Sequence, residues 1–179
     1  MTHLPNAISL GRLLSVPVVV LLLLKNMMFP AFWVFVVASL SDAIDGYLAR
    51  KFNFKTALGV FLDPLADKIL LISVFVVMGY LEQIPFFLVA LVVLRDIWIF
   101  SAVMHLRRRL GDDLGTPIFI SKVHTLLQMT FITLTLAKLA FHLSIHEHFF
   151  LSLVYAVATT TVLSTIEYVK IWRKLLVKK

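Results

Sequence analysis

The chain has 179 residues, of which 60% are hydrophobic and only 15% charged, and its formal net charge is +7. Soluble domains run at about 45–50% apolar and about 25% charged, so this composition, with a mean hydropathy of +0.96, excludes an ordinary soluble fold and points to an integral membrane protein. There is no cysteine, which excludes a disulfide scaffold, thiolate metal sites and a thiol nucleophile.

In chain order, apolar stretches separated by breakers predict an all-α bundle of six transmembrane helices in a single domain, 1–179. At roughly 20 residues per crossing, the spans fall near residues 11–28, 30–50, 57–80, 84–106, 117–141 and 148–171. The opening stretch Leu4–Arg12 is less apolar than the run Val16–Leu24 after it, and Arg12 is costly at the bilayer centre. It is therefore expected to start as an N-terminal interfacial helix that turns into the first span near Pro17. Lacking a basic leader and a small-residue cleavage site, it reads as a retained membrane element. The breakers are Lys25-Asn26 with Pro30, the polar run Arg50–Lys55, Gly79 with Pro85, Gly111 to Pro117, and His142 to His148.

Basic residues are unevenly shared among the loops. Arg50, Lys51 and Lys55 follow the second span, Arg107, Arg108 and Arg109 the fourth, and Lys170, Arg173, Lys174, Lys178 and Lys179 close the sequence. By the positive-inside rule both termini and these two loops face the cytoplasm. Attraction to anionic lipid is a second reading of the same charge. Nucleic acid is not expected as a partner, because these residues sit at membrane level without a stacking platform.

Five of the ten acidic residues lie inside apolar segments: Asp42, Asp45, Asp63, Asp67 and Asp96. An intramembrane carboxylate is a functional candidate by default, because it costs several kcal/mol unless paired or hydrated. Asp42 and Asp45 are three residues apart, Asp63 and Asp67 four, and each spacing puts its pair on one helix face. A short loop joins the two spans, so the faces can meet. Four carboxylates brought together cannot all stay ionised unaided. Arg50, Lys51, Lys55 and Lys68 could neutralise them as a salt-bridge cluster, whereas an all-oxygen set without His or Cys suits Mg²⁺, Mn²⁺ or Ca²⁺. The small residues Gly46, Ala49 and Gly59 would either admit a bulky ligand or serve helix packing.

The run Asp42-Ala-Ile-Asp45-Gly46-Tyr-Leu-Ala49-Arg50, followed after eight residues by Gly59 and then by Asp63 and Asp67, resembles the D-x2-D-G-x2-A-R-x8-G-x3-D-x3-D signature of the CDP-alcohol phosphatidyltransferases. All eight fixed positions match. Leu4-Pro5-Asn6-Ala7-Ile8-Ser9 with Arg12, Leu62–Lys68, Arg95-Asp96, and Ile120–Thr125 with Gln128 resemble the branch that uses CDP-diacylglycerol and glycerol-type acceptors. That branch holds phosphatidylglycerophosphate synthases, whose acceptor is glycerol 3-phosphate, and cardiolipin synthases of mitochondrial type, whose acceptor is phosphatidylglycerol. Arg95-Asp96 and the Ile-Ser-Lys-Val-x-Thr stretch look more like the latter, since the former tend to carry Arg-Glu and Gly-Lys there.

The resemblance implies two ions, Mg²⁺ or Mn²⁺, held by Asp42, Asp45, Asp63 and Asp67, with Asp67 as the general base. It also implies a nucleotide site at Asp42, Gly46, Ala49, Arg50 and Gly59, and a homodimer in a bacterial or organellar inner membrane. Arg95, Lys122 and Arg12 are the candidate acceptor-binding residues. Arg95 and Lys122 could instead be counter-ions to Asp96 or to the Asp cluster, and Asn6 could be a helix cap. His105 and His124 read as satisfied interior or interfacial residues, and His142, His146, Glu147 and His148 as a polar loop. A divalent-cation transporter is the competing class for the Asp cluster, but the internal symmetry usual in transporters is not seen.

Overall fold

The computed structural model describes residues 4–52, 59–110 and 119–177, with side-chain surroundings for 11–41, 66, 68–105 and 120–173. Every element among them is a helix: α1 Leu4–Leu24, α2 Met28–Phe52, α3 Gly59–Tyr80, α4 Phe86–Leu110, α5 Phe119–Ala140 and α6 Glu147–Val177. The all-helical expectation holds. Three of the helices, over Phe86–His105, Ile120–Ala140 and Glu147–Arg173, are long and apolar enough to cross a membrane. In α1 to α3 the apolar stretches are shorter, Gly11–Leu24, Met28–Ser41 and Lys68–Tyr80. Arg12 and the four Asp residues cut into these three helices at their charged ends.

The opening stretch Leu4–Arg12 and the apolar run after it form one continuous helix. α1 runs unbroken from Leu4 to Leu24 with Pro17 inside it. Pro17 withholds only its own amide from the ladder, and Ser15 Oγ donates to the Arg12 carbonyl at 2.6 Å one turn earlier.

The described residues form two compact units. The first holds α1, α2, α3 and residues 132–144; the second holds residues 85–131 and 145–179. In the first, α1 packs on both α2 and α3. Its buried residues are Val16, Val19 and Leu23, those of α2 are Ala31, Phe35 and Ala38, and those of α3 include Leu70, Leu71, Val74, Phe75 and Met78. Small residues at Ala31, Ala38 and Ala66 let backbones approach, which matters where lipid tails remove most of the hydrophobic driving force between helices. The opposite faces carry Leu14, Val18, Leu21, Val37 and Leu40 outward.

Three helix ends in this unit share one solution. Asn26, Glu82 and His142 have φ of 57°, 58° and 52°. Met27 N–H reaches the Leu22 carbonyl at 2.9 Å, Gln83 N–H the Met78 carbonyl at 2.9 Å, and Leu143 N–H the Lys138 carbonyl at 3.0 Å. Each is the long bond of a Schellman motif, which satisfies a carbonyl that the helix leaves open. Phe29 and Phe32 then meet Phe141 edge-on, with ring centroids 5.6 and 5.2 Å apart.

In the second unit α4 packs on α6. Leu88, Val92, Ile99 and Ala102 line the buried side of α4, and Val154, Val157, Thr161 and Ser164 that of α6. Phe131 of α5 tilts against Phe150 of α6 at 5.4 Å.

Candidate active site

In the first unit the helix register carries the acidic signature. Asp42 and Asp45 stand in the last three turns of α2, and Asp63 and Asp67 in the first three of α3. These two helices pack together, with α1 against both. The backbone therefore places two carboxylate pairs, spaced three and four, on packed helices of one unit. That donor set is purely oxygen and fits a hard divalent ion. The side chains of Asp42, Asp45, Gly46, Ala49, Arg50, Gly59, Asp63 and Asp67, with those of Asn6, Lys51 and Lys55, lie outside the described residues.

Arg12 is buried at 3% exposure on α1. It lines a groove of about 420 Å³ between α1 and α2, together with Gly11, Ser15, Trp33, Val34, Val37, Ala38 and Ser41. A Cβ added at Gly11 would meet nothing within 4 Å. The groove combines a guanidinium and two hydroxyls with an apolar wall. Its residues are scattered over two helices, and no local sequence signal announces it.

The second unit encloses a polar network at a depth where lipid would otherwise penalise it. Arg95 and Asp96 of α4 are 4% and 3% exposed. Nη1 of Arg95 donates to Asp96 Oδ1 at 2.5 Å, while Nη2 donates to Ser121 Oγ of α5 at 3.0 Å and to Ser164 Oγ of α6 at 2.5 Å. Arg95 is thus the counter-ion of Asp96, one of the two roles its sequence position left open, and it ties three helices together. Lys122, next to Ser121, is exposed.

One turn along α5, His124 Nδ1 lies 3.1 Å from Thr160 Oγ1. Thr160 has one hydroxyl proton, and carbonyls of its own helix, Ala156 at 2.8 Å and Val157 at 3.0 Å, take it. Thr160 then accepts from His124, which places a proton on Nδ1. His124 is buried, as expected of an interior residue, and Nδ1 is bonded to Thr160. Ser121, Thr160 and Ser164 were missed at the sequence level, although hydroxyls at 160, 161, 164 and 165 in an otherwise apolar helix were the available signal.

The family model described as CDP-alcohol phosphatidyltransferase matches residues 2–166. Similar proteins include the chloroplastic CDP-diacylglycerol–glycerol-3-phosphate 3-phosphatidyltransferase 1 of Oryza sativa subsp. japonica, 32% identical over 93% of this chain and 56% of that protein. A cardiolipin synthase (CMP-forming) of Rattus norvegicus is 32% identical over 96% of this chain and 62% of its own length. The CDP-diacylglycerol–glycerol-3-phosphate 3-phosphatidyltransferase of Wigglesworthia glossinidia brevipalpis is 35% identical over 71% of this chain and 72% of that protein. The chain thus spans about three-fifths of the length of the first two relatives.

Proposed function

Because the chain belongs to the CDP-alcohol phosphatidyltransferase family, we propose that it transfers the phosphatidyl group of CDP-diacylglycerol to the hydroxyl of a glycerol-type acceptor and releases CMP. The observation that carries this is the unbroken signature from Asp42 to Asp67, inside a family match that covers residues 2–166. Phosphatidylglycerol is the proposed acceptor, which makes the product cardiolipin. Arg95-Asp96 and the stretch Ile120–Thr125 support that choice. Glycerol 3-phosphate is the second reading, supported by the names of the rice and Wigglesworthia relatives. Transport of a divalent cation has only the acidic cluster in its favour.

Asp42, Asp45, Asp63 and Asp67 would hold two divalent ions, Mg²⁺ or Mn²⁺, which supply charge neutralisation at the diphosphate and help orient it. An alcohol is a weak nucleophile, so Asp67 takes the acceptor's hydroxyl proton as the new phosphodiester bond forms. Arg50 contacts the nucleotide or its phosphates, and Gly46, Ala49 and Gly59 leave room for cytidine. Arg12 and Lys122 are the proposed acceptor-binding residues, whereas the Arg95 guanidinium is engaged by Asp96, Ser121 and Ser164. In the membrane the chain makes six crossings with the site on the cytoplasmic side, as a homodimer in a bacterial or organellar inner membrane.

The test is to supply CDP-diacylglycerol and Mg²⁺ to the purified protein, with labelled phosphatidylglycerol and labelled glycerol 3-phosphate in separate reactions. Label in cardiolipin, with matching CMP release, supports the proposal. Label only in phosphatidylglycerophosphate transfers the reading to the second acceptor, and no CMP with either acceptor overturns both.

A further inference from the structure

The last turns of α6 carry charge that the catalytic reading does not use. From Glu147 to Lys170 the helix rises about 34 Å, more than the roughly 30 Å hydrocarbon core. Lys170 and Arg173 therefore stand at the level of lipid phosphates when Glu147 marks the opposite boundary. Both are exposed. Lys170 pairs with Glu167 at 2.8 Å across the surface, and Arg173 makes no ion pair among the described residues. After Glu167 the sequence has Lys170, Arg173, Lys174, Lys178 and Lys179 and no acid.

The helix's rotation is held by an aromatic contact. Trp172 lies against Trp98 of α4 with centroids 5.3 Å apart. On a helix of 3.6 residues per turn, Lys170 and Arg173 are about 60° apart, while Trp172 is about 100° from Arg173 and about 160° from Lys170. Packing of Trp172 thus turns both cations away from α4. Dipole compensation does not explain their placement, because it is confined to the last turn, and Lys170 lies seven residues before the helix end at Val177.

We propose that the Lys170–Arg173 stripe of α6 is a docking surface for anionic phospholipid headgroups. Phosphate is the anion available at that depth. The exposed Ile171, at 38%, gives the stripe an apolar neighbour suited to the interface. Each basic residue near an anionic surface strengthens association about fivefold. The proposal is independent of which reaction the protein performs.

The native chain has no cysteine, so Ile171→Cys gives a single attachment point for a fluorophore on the full-length protein in vesicles. Quenching by brominated phosphatidylserine relative to brominated phosphatidylcholine reads headgroup preference at that point without using a phosphatidyltransfer substrate. A severalfold preference for phosphatidylserine is expected, lowered at least fivefold by Lys170→Gln with Arg173→Gln and retained with Lys138→Gln. Equal quenching by the two lipids, or an unchanged preference in the double variant, overturns the proposal. Inorganic phosphate is added to a parallel sample. If millimolar phosphate abolishes the preference while the same ionic strength of chloride does not, the site takes free phosphate and the lipid assignment is wrong.

Discussion

Arg95 and Ser164, 69 residues apart in sequence, meet at 2.5 Å inside the second unit, with Asp96 on the other arm of the same guanidinium. The side chains of Arg95 and Asp96 are 3% and 1% exposed, so each charge depends on the other for its solvation. Removing one partner of a buried pair costs about 3–5 kcal/mol, whereas replacing both by apolar residues is often close to neutral. Asp96→Asn should therefore destabilise the detergent-solubilised protein by about 3 kcal/mol or more. The double variant Arg95→Met with Asp96→Leu should recover most of that loss. Thermal unfolding of the variants measures this directly, and a loss below about 1 kcal/mol for Asp96→Asn would show that the pair does not hold the unit together.

A second stability prediction comes from the left-handed helix ends. Glu82 has φ 58°, a conformation that costs a residue with a Cβ roughly 1–2 kcal/mol and a glycine little. The Schellman bond from Gln83 to Met78 needs that conformation. Glu82→Gly should raise stability by about 1 kcal/mol, after allowing for the greater freedom of glycine in the unfolded chain. Gln83→Gly, one residue on and without a positive φ, should not. If both variants lose stability equally, the strain at Glu82 is not being relieved.

These examples show where the sequence could be read and where it could not. Helix placement was legible because it depends on long apolar runs: the expected span 117–141 corresponds to α5, Phe119–Ala140, and 57–80 to α3, Gly59–Tyr80. The turn expected near Pro17 does not interrupt α1, because proline removes one amide without being forced to end a helix that packs on two neighbours. Asn26 is a familiar left-handed cap residue, whereas Glu82 and His142 are not, and only tertiary geometry puts them in that role. The Asp pairs were legible through their spacing. Ser121 and Ser164 were not assigned, because a serine says nothing of which arginine it faces until three helices are assembled.

The proposed topology rests on the charge asymmetry, and the cysteine-free chain makes it measurable. With the basic loops inside, an impermeant thiol reagent on intact cells should label His146→Cys and leave Asn53→Cys unlabelled until the membrane is opened. His146 is exposed, so lack of labelling would not come from burial within the chain. The reverse pattern would invert the proposed orientation.

The proposed site makes its sharpest prediction where Asp67 is separated from its neighbours. A residue that only holds metal should lose activity when its hold weakens, and excess metal should restore part of it. A general base should keep metal and nucleotide while losing the acceptor for the hydroxyl proton in the transition state. Asp63→Asn is therefore expected to lower activity in a way that added Mg²⁺ or Mn²⁺ partly reverses. Asp67→Asn is expected to bind CDP-diacylglycerol within about threefold of the native protein and to lose roughly 10²–10⁴ in turnover, with no recovery at high metal. Chelation should abolish CMP release from the native protein, and full activity in excess chelator would remove the metal from the proposal altogether. Asp67 stands four residues from Asp63 on α3, on the same helix face, so the proposal gives it a metal contact as well. Titrating turnover and nucleotide binding against metal for both variants separates the two roles: if Asp67→Asn is rescued as fully as Asp63→Asn, Asp67 is a ligand and the base lies elsewhere.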